Sequence, residues 1–184
     1  IADSDDIVLI GCNIRSEQPI IAHHIRQAAL MGTTITNINF FESDLLMPVA
    51  THATLNIAAM IKRLSGVAKA LMVLAHDEDK AWTELLSDVT PSASEQTSAM
   101  RLSNAMQGQL IVGDLAKNHP ESSKIIALVK LIARLSKNKA TVLPTANSTA
   151  ATIANKLTAE ADNSGLNAQK IWQEKLRSYV LLGV

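Results

Sequence analysis

Residues 6–11, Asp-Ile-Val-Leu-Ile-Gly, carry an unbroken apolar run of β-branched character that halts at a glycine. Such a run suits a strand covered on both faces, as in a parallel sheet. After a turn over 12–18, Pro19 fits the first turn of a helix, and Ile20, Ile21, Ile25, Ala28 and Ala29 line one side of it at helical spacing. Gly32 closes that helix as a C′ residue, and the alternating Thr/Ile stretch 33–39 predicts a second strand. Residues 6–39 are thus one βαβ unit. The span 40–54 has no periodicity and is read as a loop. Leu55, Ala58, Ile61, Leu64, Ala68, Leu71 and Met72 predict a long helix to about residue 73. A charged break at 76–80, a short helix over 81–86 and a helix from the Ser92-x-x-Glu95 capping box to about Met106 follow. The run 109–113 repeats the buried strand ending in glycine. Asn118 and Glu121 are then read as a cap around Pro120, before a helical stripe of Ile125, Leu128, Val129, Ile132 and Leu135. A strand is expected over 140–143, helices over 147–157 and 167–176, and a last strand over 179–183.

The fold class is therefore α/β, with Rossmann-like parallel sheets and flanking helices. We expect a first unit with a helical extension over 1–106, and a second over 107–184, truncated at its C-terminal strand.

Composition narrows the function. Lys plus Arg and Asp plus Glu number 17 each, so no net field gathers polyanions, and nucleic acid is not an expected partner. Polar residues interrupt every apolar run short of the roughly twenty needed to cross a bilayer, so no direct membrane insertion is expected. Cys12 is the one cysteine, too few for an iron–sulfur cluster or an internal disulfide. The chain opens at Ile1 with no initiator Met, basic n-region or cleavage site, and reads as a piece of a longer polypeptide.

The turn Gly11-Cys-Asn-Ile-Arg-Ser-Glu-Gln-Pro19 is where such sheets bind nucleotides. It holds one glycine, and Glu17 beside the helix start already supplies a negative charge to the positive end. Cys12 has no histidine placed to activate it and is read as structural, at a partly buried strand end. His23 and His24 are adjacent on a helix, pointing about 100° apart, so they are no metal pair; one is expected in solvent and one packed. His76-Asp-Glu-Asp79 lacks the glycine and terminal glutamate of a calcium loop and reads as a solvated linker. No nucleophile elbow, Walker loop, His-Glu-x-x-His or Cys-x-x-Cys occurs. No catalytic residue and no metal ligand is assigned.

Asp3-x-Asp-Asp-Ile-Val-Leu-Ile-Gly-x-Asn13, then Pro19, then Ile25-Arg-Gln-Ala-Ala-Leu-x-Gly32 before a strand, resembles the Rossmann-like domain of the molybdopterin oxidoreductase superfamily. Leu110-Ile-Val-Gly113, His119-Pro120, Val142-Leu-Pro144, Ala146-Asn-Ser148, Gly165-Leu-Asn-Ala168 and Tyr179-Val-Leu-Leu-Gly-Val184 resemble one branch. That branch is the large peripheral iron–sulfur subunit family of NADH-quinone oxidoreductase, or respiratory complex I. Catalytic superfamily members follow the first strand with Gly-x-Asn-Pro and end the second with Asp-Pro-Arg, both near the pterin nucleotide. Here Ile14 replaces the proline, and Asn39-Phe-Phe41 stands at the second motif.

The resemblance implies a non-catalytic structural segment that supports electron transfer from NADH to quinone in its parent complex. It implies no cofactor in this piece, with iron–sulfur clusters in an N-terminal part of the parent subunit. Gly11, Asn13 and Arg15 would be vestigial nucleotide-loop positions. Its partners would be the other subunits of the respiratory complex, in a peripheral arm on the cytoplasmic side of the bacterial inner membrane. Two rivals stand beside it. One is a cofactor-binding segment of a working molybdopterin oxidoreductase of the formate dehydrogenase or nitrate reductase type; the other is a free-standing dinucleotide-binding module.

Overall fold

A computed structural model describes residues 1–77 and 79–145 and the single positions 148, 150 and 153. Along the chain run β1 (Asp6–Ile10), α1 (Ile14–Glu17), α2 (Pro19–Leu30), β2 (Thr34–Asn39), β3 (Thr51–Thr54), α3 (Ile57–Ala75), α4 (Lys80–Leu85), α5 (Ala93–Asn104), β4 (Gly108–Val112), α6 (Asp114–Lys117), α7 (Ser122–Ser136) and β5 (Lys139–Val142). The strands form one parallel five-stranded sheet in the order β3-β2-β1-β4-β5. The predicted α/β class with a parallel sheet and flanking helices is what the chain adopts.

The side-chain period of two divides β1 between two cores. Val8 and Ile10 join Ile38, Leu110 and Val112 under α3, α5 and α7, around Met60, Leu64, Leu71, Leu102, Ile125 and Ile132. Ile7 and Leu9 face the other way, with Ile35 and Ile111, onto Ala22, Ile25 and Ala29 of α2 and onto Ile14 and Leu45. Burial on both sides is why residues 7–10 are apolar without alternation.

Residues Ile1–Leu143 form one compact unit and Pro144–Val184 another. The expected join at 106/107 lies inside the first, because β4 pairs with β1 from Asp6–Gly108 to Ile10–Val112 and both βαβ units share one sheet. The helices expected over 147–157 and 167–176, and the strand over 179–183, fall outside the described residues apart from positions 148, 150 and 153.

Several expectations need correction. The span 40–54 is not all loop: its end is β3, an edge strand paired with β2 from Thr36–Thr51 to Asn39–Thr54. The long helix begins at Ile57, where Asn56 is the N-cap and its Oδ1 accepts from the Ala59 amide at 2.9 Å. It runs to Ala75 and ends at His76 in the left-handed region, φ 50°. The cap read into Asn118 and Glu121 is not made by a side chain; α7 starts after Glu121, whose amide donates instead to His119 Nδ1 at 3.1 Å.

The capping box does form. The Ser92 amide donates to Glu95 Oε2 at 2.7 Å, and the Glu95 amide to Ser92 Oγ at 3.4 Å. Ser92→Ala is expected to lower stability by about 1 kcal/mol. Urea unfolding measures it, and an unmoved midpoint with unchanged slope would show the box contributes nothing.

Candidate functional site

In a parallel sheet with helices on both faces, ligands bind beyond the carboxyl ends of the strands, where the chain order reverses direction. Here the chain moves from β1 outward to β2 and β3, then returns to place β4 on the other side of β1. The reversal falls between β1 and β4, so the candidate crevice is framed by residues 11–18 and 113–118.

Two glycines set its walls. Gly11, at φ +53°, adopts a conformation that side chains resist, and a Cβ on it would stand 2.5 Å from Ala116 Cβ and 2.9 Å from the Ala116 amide nitrogen. A Cβ on Gly113 would lie 2.4 Å from Cys12 Cα and 2.7 Å from Gly11 O. The two loops therefore meet backbone to backbone, held by Gly113 N to Ile10 O at 3.0 Å and Ala116 N to Gly11 O at 3.2 Å.

Glu17 closes the arrangement. Its Oε1 accepts from the Asn13 amide at 2.6 Å and its Oε2 from the Asp114 amide at 2.8 Å, so one carboxylate bridges the loop after β1 and the first turn of α6. Cys12 Sγ lies 3.6 Å from the same Oε2. Cys12 is fully buried rather than partly so. Burial, followed by the Glu17 carboxylate and its hydrogen bond, pushes the thiol pKa far up, which disfavours the nucleophilic thiolate.

Asn39, at the carboxyl end of β2, is fully buried. Its Nδ2 donates to Cys12 O at 3.0 Å and its Oδ1 accepts from the Phe40 amide at 2.9 Å, so its amide is spent on the backbone. Lys117 Nζ donates to Leu143 O at 3.0 Å and lies 2.7 Å from Asp114 Oδ1, tying α6 to the segment after β5.

Of the three nucleotide-loop positions, Gly11 forms the wall of the crevice and Asn13 gives its amide to Glu17. Arg15 lies elsewhere: its side chain is exposed and Nη1 donates to Asp44 O at 2.8 Å. His23 and His24 are both exposed, correcting the expectation that one packs, because Ala22 and Ile25 fill the buried positions of that turn. Asp77 and Asp79 pair with Arg134 at 3.1 and 3.5 Å. Among the described residues, no group of three or more His, Cys, Asp or Glu side chains could hold a metal ion.

Sequence reading missed the charged cluster at the opposite end of β1. Arg101 Nε sits 2.7 Å from Asp6 Oδ2, and Arg101 Nη2 donates to Thr36 Oγ1 at 2.8 Å. The pair lacks hydrogen-bond alignment, and neither Asp6 oxygen has a hydrogen-bond partner among the described residues. Burial pushes the Asp6 pKa up to about 6, opposed by Arg101 and aided by Asp5. Folded protein thus keeps a proton that the unfolded chain gives up near pH 4, so this contribution to stability is full below about pH 4 and is lost as the pH rises through 6. Relative to Asp6→Asn, the native chain should lose about 2 kcal/mol between pH 4 and 7, allowing for solvent screening. Urea titrations of both chains check this, and a difference constant with pH would refute it.

The molybdopterin oxidoreductase family pattern matches residues 1–183. The chain belongs to the molybdopterin oxidoreductase family. No curated protein matches this family member. Among solved structures it is similar to a chain of the formyltransferase/hydrolase complex from Methylorubrum extorquens, determined in complex with methylofuran. The TM-score is 0.52 at 14% identity, over 85% of this chain and 41% of that one. At that identity the likeness speaks for the fold alone, and this chain spans about two fifths of its neighbour's length.

The pterin nucleotide that membership in the molybdopterin oxidoreductase family implies can be tested against these residues. A phosphate at the β1–β4 reversal needs free amides and room for close approach. The Asn13 and Asp114 amides are already bonded to Glu17, and the glycine surfaces are packed on Cys12 and Ala116. The crevice does not fit a phosphate on those amides. Among the described residues of this molybdopterin oxidoreductase family member, no helix is long and apolar enough to cross a membrane.

Proposed function

We propose that this protein is a non-catalytic structural segment of the large peripheral iron–sulfur subunit of NADH-quinone oxidoreductase, supporting electron transfer from NADH to quinone in the parent complex. The observation that carries the reading is the Glu17 carboxylate seated on the Asn13 and Asp114 amides, at 2.6 and 2.8 Å, where a nucleotide phosphate would otherwise bind. A fixed internal anion at that place turns a ligand crevice into a joint between two halves of a sheet.

In this reading the segment holds no cofactor, and the parent's clusters are bound by cysteines in its N-terminal part. Its partners are the other subunits of the complex, in the peripheral arm on the cytoplasmic side of the bacterial inner membrane. No reaction step is assigned to any residue here.

The test is deletion of this segment from the intact subunit, followed by assembly and NADH-to-quinone turnover. Failed assembly with clusters retained in the N-terminal part supports a scaffold, and unchanged assembly and turnover would contradict it. A second reading, a cofactor-holding segment of a working molybdopterin oxidoreductase, draws on the family match across residues 1–183. Stoichiometric molybdenum in the full-length parent protein would favour it over the scaffold.

A further inference from the structure

A second concavity lies away from the β1–β4 reversal, between the outer side of α2 and the loop after β2. It is a depression of about 500 Å³, open to solvent, lined by Arg15, Pro19, His23, Arg26, Leu45 and Leu46, among others. That volume is in the range of small-molecule sites. Neither Gly11, Asn13 nor Gly113 lines it, so it is distinct from the crevice that Glu17 fills.

Its chemistry is one-sided. Two arginines and a histidine line it and no carboxylate does. The nearest acids along the chain are otherwise placed: Asp44 Oδ1 accepts from the Leu46 amide at 2.8 Å, Glu17 is held on the Asn13 and Asp114 amides, and Glu42 is exposed and outside the lining.

Each guanidinium is anchored by one bond to the same loop, Arg15 Nη1 to Asp44 O and Arg26 Nε to Leu46 O, both at 2.8 Å. Five donors per guanidinium leave the remaining N–H groups available for an anion, on side chains already restrained by those bonds. Leu46 holds φ +52°, a strained conformation for leucine, at the point where Arg26 grips the loop. Pro19, Leu45 and Leu46 supply apolar surface beside the charged groups.

We propose that this cavity is a binding site for a small organic oxyanion: a phosphate or carboxylate head taken by the Arg15 and Arg26 forks, and an apolar body laid against Pro19, Leu45 and Leu46. It stands independently of the scaffold reading, because it uses none of the residues that carry that reading.

The test titrates the native chain with phenyl phosphate, benzoate, inorganic phosphate and phenol, following the backbone amide resonances of Ala22, His23 and Leu46. Saturable shifts at these amides with phenyl phosphate or benzoate are expected, and the tighter of the two names the head group. Inorganic phosphate should bind more weakly than phenyl phosphate, and phenol should not bind. Arg15→Gln and Arg26→Gln should each weaken binding about tenfold, while Arg63→Gln on another face leaves it unchanged. Arg26→Lys keeps the charge but loses the fork, and should bind several-fold more weakly with an unaltered melting curve. The proposal is overturned if neither organic anion saturates, if the shifts map elsewhere, or if all the arginine variants bind as the native chain does.

Discussion

Gly113→Ala is expected to unfold more easily than the native chain by about 3 kcal/mol or more, the upper end of what overpacking a tight core costs. The new methyl would stand 2.4 Å from Cys12 Cα, 2.5 Å from Cys12 Cβ and 2.7 Å from Gly11 O. None of these is the tip of a flexible side chain, so relief requires the ends of β1 and β4 to separate. The backbone conformation of Gly113, φ −92° and ψ 179°, suits any residue, so the cost is one of space alone. Gly32 makes the opposite case: a Cβ there meets nothing within 4 Å but φ is +105°, and Gly32→Ala should cost only about 1–2 kcal/mol from backbone strain. Urea unfolding of both variants measures the contrast. A Gly113→Ala chain within about 1 kcal/mol of the native would mean that the loops do not meet as described.

Glu17→Ala should cost about 3 kcal/mol, because two backbone amides lose a charged acceptor at once, and Glu17→Gln roughly half as much. The residues it joins, Asn13 and Asp114, belong to the two arms that meet at the crevice, so the loss should appear in both. Hydrogen exchange is the direct readout: the Asn13 and Asp114 amides should exchange faster in Glu17→Ala, while the Ile7 and Leu9 amides within β1 change only with global stability. If exchange at Asn13 and Asp114 were unaltered, the carboxylate would not be the tie between the arms, and the scaffold reading would lose its main support.

Much of the sheet was legible because buried parallel strands write themselves as uninterrupted apolar runs, and residues 7–10 and 110–112 do so. The helices α2, α3, α5 and α7 were legible from their spacing and from the Ser92–Glu95 box. The elements missed are short: α1 and α6 have four residues each, less than is needed to display a helical period, and β3 is the four-residue edge strand Thr-His-Ala-Thr. An edge strand with alternate residues exposed gives no apolar run to detect.

At the crevice, the sequence placed Glu17 near a positive helix end but not its second partner. Glu17 and Asp114 are 97 residues apart, and only the pairing of β4 with β1 brings that amide to the carboxylate. Asn39 was read as a departure from an expected motif. Its position at the end of an alternating strand was visible, but the bond to Cys12 O depends on how the loop after β1 turns at Gly11. The Asp6–Arg101 pair escaped notice because an aspartate at a strand start ordinarily faces water, whereas here α5 covers it.

The seclusion of Cys12 leaves the exterior of the protein without a native sulfhydryl that a maleimide could reach. A cysteine introduced on the outer surface of α7 or α2 would then take up a spin label or fluorophore at a single known place. Spectroscopic rulers could be mounted on this scaffold, one or two at a time, without first removing a native thiol.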